Sequence, residues 1–202
     1  MARRQLFVSL TLIAIASMVV PVGGQQGETA PSTVQNGKST MRKIYEEDQK
    51  NRNDVTGDGR RREQVQQLIA KGEVQSGEDY YYAAFIFQHG KKPSDYLYAH
   101  VLAVTAVNKG LHNAIWLSAA TLDRYLHSIR QPQVFGTQFG SLYEDRDDQE
   151  PYDRELVSDA LRAQWCVASE STQTQILSNQ RAGKGFHSTR TCPLPDAQFD
   201  VK

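Results

Sequence analysis

A group of polar residues near the middle of the chain has the composition of an acid–base site. Asp123 and His127 are four residues apart, a spacing that places both on one face of a helix. A carboxylate that orients a histidine makes it a candidate general base, and the adjacent Arg124 is suited to hold an anionic group. Thr137 and Gln138 follow the predicted helix and would present hydrogen-bonding groups in a cleft. The same residues also fit an ordinary ion pair on a helix surface, so a structural role stays open.

Other common catalytic and metal-binding patterns are missing from the sequence. It contains no Gly-x-Ser-x-Gly motif, no phosphate-binding glycine loop and no zinc-protease pair of histidines. No two histidines have the spacing of metal ligands on one helical face; they stand at positions 89, 100, 112, 127 and 187. We therefore predict neither a metal nor another cofactor, and the pattern leaves open whether the protein is an enzyme.

Residues 54–59, Asp-Val-Thr-Gly-Asp-Gly, resemble the front half of a calcium-binding loop. Oxygen-bearing side chains alternate there, and a glycine stands at the sixth position. The twelfth position is Val65 instead of a glutamate, and three arginines follow the glycine, which disfavours a bound cation. We predict a tight turn that leads into a helix from about Arg60 to Ala70, with calcium as the less favoured alternative.

Three consecutive helices must position the polar residues, and their apolar spacing predicts a mainly α fold. The predicted inward faces are Tyr82, Phe85, Ile86 and His89 in the first, Leu97, Val101, Val104 and Val107 in the second, and Ile115, Ala119, Leu122, Leu126 and Ile129 in the third. The second helix is apolar nearly all round and would be sandwiched between its neighbours. Small alanines and terminal glycines resemble compact tetratricopeptide-like repeats, so we predict a short helical-hairpin array.

Flanking segments must complete the core of so short an array. A polar helix is predicted to begin near Met41, with Ile44 and Tyr45 facing inward. Residues 134–139 would run extended, and Phe135 and Phe139 would close the core. A further helix is predicted over residues 153–169, and the polar run beyond it is predicted to be a loop. The residues expected to face inward in that helix are Leu156, Ala160, Leu161 and Trp165.

Several short motifs resemble a family of uncharacterised bacterial proteins known only as a domain of unknown function. The resemblance rests on the runs AAFIFQHG, WLSAATLDRYL and PQVFGTQF and on the upstream EDQKNR. It implies functional positions in an Asp-Gln-x-x-Arg segment, an Asp-Arg pair and a Gly-Thr-Gln segment, which here are Asp48, Gln49, Arg52, Asp123, Arg124, Gly136, Thr137 and Gln138. The resemblance implies no activity, and these residues could equally join the leading helix to the core.

The first 24 residues have the pattern of a secretory signal peptide. Arg3 and Arg4 precede an apolar run over residues 6–20, and Pro-Val-Gly-Gly follows it. The run is shorter than the roughly 20 residues of a membrane-spanning helix, so cleavage before Gln25 is predicted over an uncleaved anchor. Residues 25–40 are rich in Gly, Gln, Thr, Ser and Pro and are predicted to be a flexible tether. Residues 41–202 are predicted to form a single helical domain.

Cys166 and Cys192 are the only cysteines of the chain. In an exported protein, which we expect to be secreted or periplasmic, a lone pair of cysteines predicts a disulfide. A metal site and a catalytic thiol remain less favoured alternatives, because no matching pattern of histidines accompanies the pair.

The charge balance narrows the class of partner. The chain carries 23 basic and 23 acidic residues, so no net field attracts nucleic acid or an anionic membrane. The favoured function is a helical binding or scaffolding module for a protein or peptide of the cell envelope, with no membrane span after signal cleavage. Its expected recognition residues are Tyr80, Tyr81, Tyr82, Tyr96 and Tyr98. The alternative is an enzyme or small-molecule binder with a polar cleft around Asp123, Arg124, His127 and Gln138.

Overall fold

The described part of the chain is mainly α-helical, as predicted. The computed structural model describes residues 39–51, 54–140, 148–185 and 187–193. Within these ranges it contains no β-strand, and its helices are α1 (Thr40–Lys50), α2 (Val55–Ala70), α3 (Gly77–Gln88), α4 (Pro93–Asn108), α5 (Ile115–Ser128), α6 (Asp159–Gln164) and α7 (Glu170–Arg181). No helix among the described residues is long and apolar enough to cross a membrane. The predicted signal peptide and residues 25–38 of the predicted tether lie outside the described residues.

Helices α3, α4 and α5 form the centre of the structure. Ser76 caps α3 in a capping box with Asp79, and Pro93 opens α4, so local chemistry fixes both starts. Helix α4 packs against both α3 and α5. Fully buried alanines lie at these contacts and let the helix backbones approach closely; they include Ala83, Ala84, Ala99, Ala103 and Ala106.

The predicted inward face of α4 is wrong in part, although Val107 packs against the core. Leu97 and Val101 are exposed at 41% and 51%, whereas Leu102 and the small alanines of the same helix are buried. Because α4 is apolar nearly all round, its sequence did not show which side faces its neighbours. Close packing selects the side with the smallest side chains.

The predicted stripe of α5 is also wrong in part. Ile129 is exposed, and Ile115, Leu122 and Leu126 are only partly buried. The fully buried face of α5 carries Leu117, Ser118, Ala119, Ala120, Thr121, Asp123 and His127. Ser118 and Thr121 donate their hydroxyl groups to backbone carbonyls one turn earlier, which satisfies them within the helix.

Tyrosines of α1 and α3 form an aromatic cluster inside the core. The ring of Tyr45 stacks on Tyr82 at 4.7 Å, and Tyr81 meets Phe85 edge-on at 4.9 Å. Tyr81 and Tyr82 are buried, so these two cannot belong to the predicted recognition surface. Their burial instead attaches α1 to α3 through aromatic contacts.

Helix α2 begins five residues earlier than predicted. Asp54 is its N-cap, and the side chain accepts from the backbone N–H of Gly57 at 2.9 Å. Residues 55–59 are therefore the first turn of a helix instead of a loop. The carboxylates of Asp54 and Asp58 both contact the guanidinium of Arg61. No group of three or more His, Cys, Asp or Glu residues in the described part of the chain could hold a metal ion.

The C-terminal region differs most from the prediction. Helix α6 covers only Asp159–Gln164, and Cys166 lies beyond it in the left-handed region with φ of 56°. Leu156, Ala160 and Leu161 are exposed and Trp165 is only partly buried, so the predicted inward set is wrong. The residues predicted as a loop contain α7, which Ser169 caps. Its buried face is mixed, with Gln173, Ile176 and Leu177, and this weakened the apolar signal in the sequence.

The predicted disulfide is present between Cys166 and Cys192, whose Cα atoms lie 5.2 Å apart. Two backbone hydrogen bonds flank it. Ala168 N–H donates to the carbonyl of Thr189, and Thr191 N–H donates to the carbonyl of Cys166, each at 2.8 Å. The disulfide and these bonds fix residues 187–193 against the turn after α6.

Replacing both cysteines by serine should lower the free energy of unfolding by about 3.5 kcal/mol, because the bond closes a loop of 26 residues. Urea denaturation of the oxidised protein and the variant measures this difference. Wild-type protein kept reduced should match the variant. A difference below about 1 kcal/mol would show that the closed loop contributes little to stability.

Candidate functional site

Asp123 anchors the segment that follows α5, and we call residues 133–138 the anchored loop. Asp123 Oδ1 accepts from the backbone N–H groups of Val134 at 2.8 Å and Phe135 at 3.0 Å. Oδ2 accepts from the N–H of Thr137 at 2.9 Å and from its hydroxyl at 2.7 Å. The carboxylate is fully buried. Four donors thus converge on one side chain, and its role is to shape the loop.

The protonation of Asp123 reflects two opposing effects. Burial raises the pKa of Asp123 above its usual value, since a charge is disfavoured away from water. The hydrogen bonds from Thr137, Phe135 and Val134 act in the opposite direction and lower the pKa. Only the ionised carboxylate accepts from all four donors without a conflicting proton.

Buried glutamines satisfy the rest of the anchored loop. The side chain of Gln133 accepts from Gln138 N–H at 2.8 Å and donates to the carbonyls of Gln138 and Gln149. Gln149 donates to the Gly136 carbonyl at 2.6 Å, and Gln173 donates to the Phe135 carbonyl at 2.9 Å. Each of the three glutamines is buried. The loop therefore has little freedom to change shape.

Position 136 requires a glycine because of its backbone conformation and because neighbouring side chains lie very close to it. Its φ is 73°, in the region that favours glycine. A Cβ atom at this position would lie 2.5 Å from the Tyr152 ring and would collide with Oε1 of Gln173. The glycine of the Gly-Thr-Gln segment thus lets α7 and Tyr152 pack directly against the loop.

His127 does not form the acid–base pair that its spacing suggested. Within the described part of the chain no hydrogen bond joins it to Asp123, whose oxygens are occupied by the loop. Its Nε2 is buried and has no hydrogen-bond partner among the described residues. Burial lowers the pKa of His127, although the backbone of Glu150 and the charges of Asp148 and Asp123 partly oppose this. The described structure therefore does not pair His127 with Asp123 as an acid–base couple.

Arg124 is a cation held entirely by neutral acceptors. Its Nε donates to Gln138 Oε1 and its Nη1 to the Gln88 carbonyl, both at 2.9 Å. The amide of Gln138 is itself fixed, because its Nε2 donates to the Ala120 carbonyl at 3.1 Å. No carboxylate among the described residues lies within ion-pair distance of Arg124. Burial lowers the pKa of Arg124 below its usual value, yet an arginine side chain still carries its charge at neutral pH.

Two adjoining cavities, of about 480 and 640 Å³, share Arg124 on their common wall, together with Gln88, His89, Gln138 and Phe139. We call these cavities together the cleft. The larger cavity has aromatic sides formed by Tyr45, Phe85, Trp116 and Phe139. No aspartate or glutamate is among the described residues that line it. The described walls of the larger cavity therefore carry cationic and aromatic side chains.

The disulfide-held segment forms one wall of the larger cavity, through Ser188, Thr189 and Arg190. Trp116 Nε1 donates to Thr189 Oγ1 at 3.3 Å, and the guanidinium of Arg190 lies 4.3 Å from the Trp116 ring centre. This stacking places a second cationic side chain on the cleft.

Asp48 lies behind the cleft and contacts a histidine that the sequence analysis missed. His89 Nδ1 is 2.9 Å from Asp48 Oδ2, and Gln49 Nε2 donates to the same oxygen at 3.0 Å. The two partners are 41 residues apart, so no local spacing revealed them. Asp48 and Gln49 therefore lie beside the candidate site, while Arg52 lies outside the described residues.

The structure brings most of the predicted site residues to one place. Gln49, Arg124, Thr137 and Gln138 line the larger cavity, and His127 lines the smaller one. Asp123 and Asp48 support these residues from behind.

Comparison with known proteins adds no further constraint. No family model, no curated protein and no solved structure matches the chain. The resemblance to a bacterial family of unknown function stays a prediction from its motifs.

Changing Asp123 to Asn should lower the free energy of unfolding by about 2–4 kcal/mol, because one acceptor becomes an amide that faces the donors of Thr137. Urea denaturation checks this. Thr137→Val is the matched control, since it removes one hydroxyl donor and should cost only about 1 kcal/mol. Equal losses in the two variants would contradict the anchoring role.

His127 should make stability depend on pH. Its pKa in the folded protein is lowered from 6.5, so the unfolded chain binds the proton more readily. Stability from this group is complete above about pH 6.5 and is lost as pH falls through the folded pKa, by up to about 1.4 kcal/mol per pH unit. Melting curves between pH 7.5 and 5 test this, with His127→Gln as the control that should flatten the slope. An unchanged slope in the variant would assign the effect to other groups.

Proposed function

We propose that the protein binds a small organic anion in the cleft. The observation that carries this proposal is the guanidinium of Arg124, which has neutral partners only. A partly buried cation without a counterion is electrostatically incomplete, and a bound carboxylate would supply the missing charge. Arg190 adds a second cationic side chain to the described wall of the larger cavity.

The shape and walls of the cleft indicate the rest of the ligand. Cavities of about 300–1,000 Å³ are typical of small-molecule sites, and the larger cavity of about 640 Å³ falls within this range. Its aromatic sides favour an apolar or aromatic body next to the anionic group. A free aromatic acid and the carboxyl end of a peptide with an aromatic residue both have this chemistry.

This proposal departs from the scaffold that the tyrosines suggested. Tyr81 and Tyr82 lie in the core, and Tyr80, Tyr96 and Tyr98 are only partly exposed. A peptide partner of the envelope remains compatible with the cleft, because its terminal carboxylate is an organic anion. The predicted leader and the disulfide support an exported protein, secreted or periplasmic, in which this cleft would operate.

Binding of 3-phenylpropionate should depend on the charge of Arg124. We expect the oxidised protein to bind this carboxylate at least about tenfold more tightly than the uncharged 3-phenylpropanamide, a difference of about 1.4 kcal/mol. Arg124→Gln should abolish that preference, because the amide supplies hydrogen bonds without charge. Isothermal titration calorimetry measures both ligands on both proteins.

Arg124→Lys is the matched variant that keeps the charge. It should retain a preference for the carboxylate even if the hydrogen bond to Gln138 is weakened. Melting temperatures of all three proteins establish that they are folded. Equal affinity of wild-type protein for the acid and the amide would overturn the proposal.

A further inference from the structure

A buried carboxylate holds the imidazole of His89 at the edge of the cleft. Asp48 is 1% exposed, and its Oδ2 lies 2.9 Å from His89 Nδ1. Its other oxygen lies 3.4 Å from Arg61 Nε, which is an ion-pair contact without a hydrogen bond. An aspartate carboxylate at neutral pH only accepts hydrogen bonds. In the neutral ring, a proton on Nδ1 can donate to Asp48, and this tautomer leaves the lone pair on Nε2.

The second ring nitrogen is available to a molecule in the cleft. His89 lines both cavities, and 28% of its side chain is exposed. Among the described residues, none forms a hydrogen bond with His89 Nε2. His89 differs from His127, whose Nε2 is buried, and from His100, whose Nδ1 contacts the Ser118 carbonyl instead of a carboxylate.

We propose that His89 is a general base and that the protein hydrolyses esters that carry a free carboxylate. The inference rests on the proposed function, because Arg124 would hold the free carboxylate of the ester. Arg124 and His89 line the same two cavities, so a substrate fixed by the cation would lie beside the base. Asp48 would stabilise the positive charge that His89 acquires during the reaction.

The reaction needs only water as a second reactant. His89 Nε2 takes a proton from a water molecule as the water oxygen forms a bond to the ester carbonyl carbon. The bond between that carbon and the alcohol oxygen then breaks. The departing alkoxide takes the proton from the imidazolium, which returns His89 to its starting state. One ester and one water give one acid and one alcohol.

If the contact between Asp48 and His89 is purely structural, substitutions of His89 should have different effects. His89 is the C-cap of α3, and its bond to Asp48 joins the end of α3 to α1. An asparagine at this position can place an amide N–H where Nδ1–H lies. His89→Asn therefore preserves the hydrogen bond to Asp48 but has no basic nitrogen, whereas His89→Ala removes both the hydrogen bond and the basic nitrogen.

Hydrolysis of para-nitrophenyl hemisuccinate by the oxidised full chain tests the proposal. The ester offers a free carboxylate and an aromatic ring, and para-nitrophenyl butyrate is the matched ester without the carboxylate. We expect turnover of the hemisuccinate above the uncatalysed rate, with kcat reduced at least about 100-fold in both His89→Ala and His89→Asn. Arg124→Gln should raise KM for the hemisuccinate and remove the preference of the protein for the hemisuccinate over the butyrate.

The other possible outcomes distinguish the proposed hydrolysis from the proposed binding function. Absence of hydrolysis together with charge-dependent binding of 3-phenylpropionate would overturn the activity and leave the binding function intact. Absence of both would remove the proposed function as well. Wild-type kcat in His89→Asn, with loss only in His89→Ala, would show that His89 is a structural tie and would overturn its assignment as a base.

Discussion

The candidate site depends on one buried carboxylate. Asp123 gathers four donors from the anchored loop, and those bonds decide where Gln138 lies. Gln138 in turn sets the position of Arg124, whose charge gives the cleft its character. The sequence suggested a catalytic role for the carboxylate of Asp123, whereas in the structure this carboxylate holds the backbone of the anchored loop in place. Arg124 and Gln138, which line the cleft, are among the side chains that it helps to position.

The guanidinium of Arg124 is bound by neutral groups, so these contacts do not neutralise its charge. The groups that hold Arg124 are an amide oxygen and a backbone carbonyl, and buried glutamines fill the region behind the loop. Had a carboxylate occupied the place of Gln138, Arg124 would form an internal ion pair with little attraction for a ligand. In contrast, Arg61 is surrounded by Asp48, Asp58 and Glu47 and serves as a structural cation. Similar residues therefore have different roles because their neighbours differ.

The mainly α fold and the disulfide were predictable, because helical spacing, caps and a lone cysteine pair are local or simple signals. The sequence also indicated that Arg124 and Gln138 are near each other. The orientation of α4 was not predictable, since it is apolar nearly all round and its alanines decide the contact. The Asp48–His89 pair was not predictable from local spacing, because the two residues are 41 positions apart in the sequence. Helix α7 was missed because its buried face includes Gln173, a polar residue whose amide donates to the Phe135 and Ala168 carbonyls.

The wall formed by Ser188, Thr189 and Arg190 is part of the cleft through a covalent bond made after synthesis. The contacts among α3, α4 and α5 involve neither cysteine, whereas the disulfide ties this wall to the turn after α6. Reduction of the bond would remove that covalent tie and leave the wall to its backbone hydrogen bonds and to the contacts of Trp116 with Thr189 and Arg190. The larger cavity is therefore coupled to the redox state of its surroundings, because an oxidising compartment preserves one of its walls.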